Sequence, residues 1–421
     1  MVPESAVPAD PATAPSADEK FFLSDRARLK RWLPWLLMFR SFRLALQHRQ
    51  LAVSLLAVWL CIAGESAYLG LQAQLSQSNG DIAETATVPT VSQHIPQVQA
   101  ALDGETLPFR EILQGTDQLS LQQFIKPQIV LWPLGLELEA TVRVFRPLPT
   151  WLHWGLELGR WIWISLIMLL AGGILSRLAA LELTQFIECR LITAARFVCS
   201  NFGTYAGGGA TALAAFAVLG LFNVLLGLLA LIPLIGPSIL WLGWPLALAM
   251  STLLALLAIC LAGGWPLMIC AASVEASDPL DGLSRSFNYL LARPWYAVFL
   301  TLLLILYGSA LLYFVTGMVQ FALWLTLHSV GRFSPIETSS LAFWNLLLNS
   351  VVPAILFSLF WTTSTIIYLL LRRSEDATPI QSVYVERGAA ADLPLFGIPA
   401  AEYRERQRSR GTTNESGQPG T

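Results

Sequence analysis

Charge is what this chain lacks most. Only 13% of its 421 residues are Asp, Glu, Lys or Arg, against about a quarter in an ordinary soluble domain. With 55% apolar residues there is too little polar surface to cover a soluble globule. Cysteine is also scarce. Cys61, Cys189, Cys199, Cys260 and Cys270 form no C-x-x-C pair, which argues against a disulfide framework or thiolate metal site and leaves them as small packing residues. The four histidines, His48, His94, His153 and His328, are scattered and build no metal constellation. None of G-x-x-x-x-G-K-[ST], H-E-x-x-H, G-x-S-x-G or G-x-G-x-x-G occurs, so no cofactor is implied.

What is present is a series of apolar runs near the roughly 20 residues that cross a bilayer. Six spans are expected, at about 51–71, 154–175, 209–234, 240–261, 295–328 and 345–371. The fifth is overlong, which predicts tilt, a kink near Gly308, or an interfacial turn. Tryptophans at the ends of these runs (Trp151, Trp154, Trp241, Trp244, Trp295, Trp344) form an aromatic belt. The first run begins near residue 51 behind a basic segment, so it reads as an uncleaved anchor and not as a signal peptide.

Taken in order, residues 1–20 are rich in Pro, Ala, Ser and acid and are expected to be disordered. Residues 21–50 interleave Arg26, Arg28, Lys30 and Arg31 with aromatic and aliphatic residues, as basic helices lying on anionic headgroups do. Nucleic-acid binding is the weaker alternative. Residues 72–150 form a small external insert, irregular or α+β, in which the alternation of LELEATVRV at 136–144 predicts a strand. A surface helix is expected at 178–200, a tight turn at PLIGP (233–237), a bend at GGWP (263–266), and a polar tail at 372–421.

The stretch 273–294, SVEASDPLDGLSRSFNYLLARP, is a second amphipathic surface helix. Asp278 is its N-cap and Pro279 its first residue. Leu280, Leu283, Phe287, Leu290 and Leu291 form its apolar side. The excess of Lys and Arg before span one, in 176–200, in 273–294 and in the tail places both termini in the cytoplasm of a multi-pass inner-membrane protein. A parallel repeat is visible between 154–234 and 240–328. Ala171-Gly172-Gly173 matches Ala262-Gly263-Gly264, and Leu191–Arg196 matches Leu280–Arg285. Chance similarity of apolar sequence is the competing explanation.

An intramembrane ionisable group is a functional candidate by default. Spans three to six contain none, which argues against ion-coupled transport and proton relays. Glu65 in span one is the exception, read as an interfacial or helix-pairing group. Glu157 and Arg160 are spaced to pair at headgroup level. Asn223, Gln320, Asn345 and Asn349 are expected to hydrogen-bond between helices. Arg196 and Arg285 hold matching places in the two surface helices. They would either capture lipid phosphate or pair with acids such as Glu275, Asp278 or Glu188, and pairing is favoured.

SRLAALEL (176–183), ITAARF (192–197), PLIGP (233–237), GWPLM (264–268) and VEASDPLDGLSRSFNYLLARPW (274–295) carry a resemblance over about residues 150–370. The chain resembles bacterial polytopic membrane proteins distantly similar to the membrane domain associated with glycerophosphodiester phosphodiesterases, and related six-helix families. The resemblance implies an all-α, six-helix membrane fold and carries over no catalytic residue. The expected role is therefore structural or lipid-associated in the bacterial envelope. Its expected partners are membrane lipids with anionic headgroups, a second copy of the chain or other membrane proteins, and not nucleic acid. A transporter component for a neutral or lipid-like substrate, which a water-filled mid-membrane cavity would favour, is the first alternative. A lipid-acting intramembrane enzyme is the second.

Overall fold

The computed structural model describes residues 34–79, 125–145, 151–185, 189–232, 236–276, 278–330, 342–378, 380 and 383–384. Arg26, Arg28, Lys30, Arg31 and Glu188, most of the 72–150 insert and most of the tail lie outside the described residues. Among the described residues all regular structure is helical. After a 3-10 turn over Pro34–Arg40 come α1 (Ser41–Ala45), α2 (His48–Asn79), α3 (Pro127–Val130), α4 (Trp132–Val144), α5 (Trp151–Gln185) and α6 (Leu191–Ser200). Then follow α7 (Phe202–Leu229), α8 (Gly236–Glu275), α9 (Pro279–Ala292), α10 (Pro294–Val330) and α11 (Ala342–Glu375). Six of these, α2, α5, α7, α8, α10 and α11, are long and apolar enough to cross a membrane.

The last helix is the core. Every residue of α11 from Val352 to Arg372 is buried, whereas only 6% of the residues in the most apolar stretches of α7 and α8 are. Chemistry explains the choice. Lipid is as apolar as leucine, so apolar helices gain little by leaving it, whereas hydroxyl-bearing helices gain partners. Buried Ser350, Ser358, Thr362, Thr363, Ser364 and Thr365 all lie on α11. Ser358 and Thr362 Oγ donate to Oε1 of the buried Gln50 on α2, at 3.2 and 3.0 Å. Cys270 Sγ of α8 lies 3.6 Å from both Ser176 of α5 and Thr365. Trp361 fills the centre, and α5 passes it at Gly172, where a Cβ would come within 2.5 Å of the indole.

The charged side chains at one end of the bundle tie helices together. Arg49 donates to the Cys189 carbonyl at 2.8 Å, and Gln47 donates to Glu182. The buried Arg177 donates to the Ser273 carbonyl at 2.7 Å and lies over the Phe197 ring. Glu275 is the hub, with Arg285 at 2.6 Å, Arg372 at 2.8 Å and the Tyr368 hydroxyl at 2.8 Å. This is the basic end of the molecule.

Several sequence expectations change. LELEATVRV lies in α4 and is not a strand. Over nine residues its alternation also fits a helix, with Pro133, Leu136, Glu137 and Ala140 buried at helical spacing. The α+β character expected for the insert is therefore wrong for 127–144, which packs against the bundle. The expected surface helix at 178–200 is two pieces. α5 continues to Gln185, because Leu178, Ala179, Ala180 and Leu183 are buried against its neighbours, and only α6 is separate. GGWP lies inside the continuous α8. α10 runs unbroken through Gly308, whose missing side chain admits Val130 of α3, with a Cβ position 2.6 Å from its Cγ1.

The 273–294 stretch does form a separate helix, α9, with Pro279 at its start. Ala276, at φ +52°, makes the turn before it. The carboxylate of Asp278 makes no capping hydrogen bond. Pro279 already presets the first turn and removes one donor, so the start does not need that bond. The buried face is Gly282, Ser286 and Tyr289, while Leu280 and Leu291 are 65% and 55% exposed. Phe287 and Leu290 rest on Gly264 and Gly263 of α8, whose Cβ positions lie 3.0 and 3.1 Å from them. An equivalent contact joins Gly173 of α5 to Val198 of α6, at 3.1 Å. α8 thus receives the following short helix on both glycines of its pair, and α5 receives α6 on Gly173 alone, its Gly172 facing Trp361 of α11.

Candidate functional site

α4 brings a carboxyl to the bundle. Its start follows from Pro133 in the first turn. Trp132 and Leu136 pack inward, with the Trp132 ring 5.6 Å from that of Phe357 on α11. One turn of helix then places Glu137 beside α5, where Ser165 Oγ donates to Glu137 Oε1 at 2.5 Å. The Trp161 indole N–H donates to Thr141 Oγ1 at 3.0 Å, which fixes the next turn. Glu137 is 7% exposed, and its Oε2 has no hydrogen-bond partner. α4 is not one of the six spanning helices, yet Glu137 meets α5 near the middle of that helix. Burial pushes the carboxyl up to about 7, and the Ser165 hydrogen bond opposes the shift only partly.

Glu137 lines a groove of about 500 Å³ between α4, α5, α7 and α8. Leu138, Ile162, Leu166, Leu213 and Trp265 make it apolar, and Thr141, Ser165 and Tyr205 are its other polar groups. On α7 the small residues Ala206, Gly209 and Ala210 leave the space open, and a Cβ on Gly209 would meet nothing within 4 Å. The wall of α7 from Phe202 to Leu213 extends about 16 Å at 1.5 Å per residue. Toward the basic end, the Tyr205 hydroxyl lies 3.0 Å from Ser273 Oγ, which donates to the Gly173 carbonyl at 3.2 Å. Trp265 rests edge-on against Trp361, so the groove wall is anchored in the core. The arrangement suits an elongated apolar molecule with one hydrogen-bonding group.

The residues singled out by sequence go elsewhere. Glu65 is buried on α2 and paired with Arg160 of α5 at 2.7 Å, while Glu157 is 4.0 Å from Arg160 and accepts from the Tyr68 hydroxyl. Arg285 meets Glu275 and, at 2.8 Å, Asp281. These partners, with hydrogen bonding first, hold its guanidinium above the usual range. Arg196 and Asp278 are exposed and are not brought to either acid cluster. Asn223 donates to Ser251 Oγ at 3.1 Å, linking α7 to α8. The side chain of Asn349 lies outside the described residues.

Sequence reading missed Glu137, Ser165, Tyr205 and Gln50. The available signal for Glu137 was the Trp132-Pro133 helix start, which turns an alternating pattern into an amphipathic helix with an acid on its apolar side. No family model matches the chain, and neither a curated protein nor a solved structure matches it.

Proposed function

We propose that the protein binds a lipid-like amphiphile from within the bilayer. The apolar body would lie in the groove and its hydrogen-bonding group would meet Glu137. The observation that carries this reading is the carboxyl itself, buried beside the middle of α5, lining an apolar groove and keeping one oxygen without a partner. A side chain that costs so much to bury in hydrocarbon is expected where a ligand or partner meets it. A groove of about 500 Å³ with a few convergent polar groups is of ligand size. Whether the amphiphile is held or moved, recognition is the shared step, so this reading joins the lipid-associated role to that of a component handling a neutral or lipid-like substrate.

The orientation belongs to the same proposal. Arg49, Arg177, Arg285 and Arg372 share one end, and the positive-inside rule assigns that end to the cytoplasm of an inner membrane. Reporter fusions near residues 190 and 285 are expected inside and one near 335 outside. A cytoplasmic signal at 335 refutes the assignment.

The groove is tested from α7, where extra volume displaces ligand without clashing with protein. Gly209→Leu is expected to deplete the lipid that co-purifies with the protein while leaving its melting temperature unchanged. Undiminished lipid in a folded Gly209→Leu protein refutes the reading.

A further inference from the structure

On the opposite face of α5 a second cleft, of about 430 Å³, opens between α2 and α5. It shares no lining residue with the groove. Its polar wall is Glu65, Tyr68 and Arg160, with Glu157 behind Tyr68. All four residues are buried, and the Glu65 and Arg160 side chains are more than nine-tenths so. Arg160 spends two nitrogens on one oxygen: Nε and Nη2 lie 2.8 and 2.7 Å from Glu65 Oε1. Its Nη1 reaches only to 4.0 Å from Glu157 Oε2, too long for a hydrogen bond. Oε2 of Glu65 and Oε2 of Glu157 accept no hydrogen bond at all. Two carboxylates therefore face one guanidinium, and among the described residues no second basic side chain lies within salt-bridge distance of them, Arg143 being paired with Glu139.

We propose that this cleft binds the primary ammonium headgroup of an aminophospholipid, which supplies a second positive charge beside Glu65, the acid that lines the cleft, with Glu157 behind Tyr68 adding to the negative field. The rest of the cleft fits a lipid. Ala63, Ala67 and Leu71 give it apolar walls, and Leu71 and Trp163 are exposed at its rim. The Trp163 indole covers Gly64 and donates to the Leu60 carbonyl at 3.1 Å, which fixes one side. On the other side Gly155 and Gly159 leave room, since a Cβ on either meets nothing within 4 Å. The depth also fits. Glu157 lies only three residues, about 4.5 Å, beyond the exposed Trp154, and exposed tryptophans at helix ends mark the headgroup level.

The test uses the full chain in nanodiscs, with lipid retention read by native mass spectrometry. Phosphatidylethanolamine should be retained over phosphatidylcholine, whose methylated nitrogen has no N–H, by about tenfold or more, as loss of charge-assisted hydrogen bonds implies. Glu157→Gln removes the excess charge and should bring the two lipids level. Gly159→Leu fills the cleft without touching a charge and should do the same, so it decides the matter if Glu157→Gln does not fold. No preference in the unaltered protein overturns the proposal, and so does a preference that survives both substitutions in folded protein. Free ethanolamine that binds without competing with the lipid overturns the lipid occupant in favour of a small amine.

Discussion

Replacing Glu137 with glutamine tests the chemistry of the groove through pH. The folded protein holds this carboxyl at about 7, above its ordinary 4.5, because burial disfavours the charged form. The folded state therefore binds more protons than the unfolded state between those values. Stability is highest below about pH 4.5, falls as pH rises through the window, and levels off above about 7. The difference of 2.5 units corresponds to about 3 kcal/mol at 1.36 kcal/mol per unit. Glutamine keeps the shape and the Ser165 contact and has no charge to bury. In detergent, the unaltered protein should lose melting temperature between pH 5 and 7.5, and Glu137→Gln should be flatter and more stable than the unaltered protein at pH 7.5. Parallel curves for the two proteins would mean that Glu137 is solvated, and the reasoning about the groove would fail.

Other substitutions probe the packing. Gly172→Leu drives a side chain into the Trp361 indole and should cost about 1–3 kcal/mol, read as a lower melting temperature. Gln50→Leu removes the acceptor shared by Ser358 and Thr362 and should cost about 1–3 kcal/mol in the same assay. Glu275→Ala strips the buried Arg372 of its partly buried carboxylate and should cost up to about 3–5 kcal/mol, with an unaltered melting temperature refuting its place as hub. Phe287→Asp, which breaks the contact with Gly264, should lower steady-state levels far more than Asn288→Asp on the exposed side.

Sequence showed the six long apolar helices, the short helix after Pro279 and the clustering of arginines at one end, because each rests on local composition or spacing. Glu65 was visible as an anomaly, but its partner was not. Helical spacing pairs Arg160 with Glu157, and that pair is present at 4.0 Å, but the shorter contact, 2.7 Å, reaches across to Glu65 on α2. The central place of α11 is a tertiary fact. Its hydroxyls were a usable sign, since Ser358, Thr362 and Thr365 find partners on neighbouring helices in the core that lipid does not offer. The groove was illegible for a different reason. It joins four segments between residues 134 and 269, and its one carboxyl lies in a nine-residue pattern that two periodicities fit. The glycine pairs show the middle case: the sequence displayed their match, and only the structure showed that Gly263 and Gly264 both receive α9 while Gly173 alone receives α6.

The central claim is that the groove between α4, α5, α7 and α8 holds a lipid-like amphiphile against Glu137. The direct measurement is photocrosslinking in native membranes with a bifunctional fatty acid, followed by mapping of the labelled peptides. Label on α5 and α7 within 161–169 and 202–213, lost in Gly209→Leu, is what the account predicts. Label spread evenly over the exposed faces of α7 and α8, and unchanged by Gly209→Leu, contradicts it.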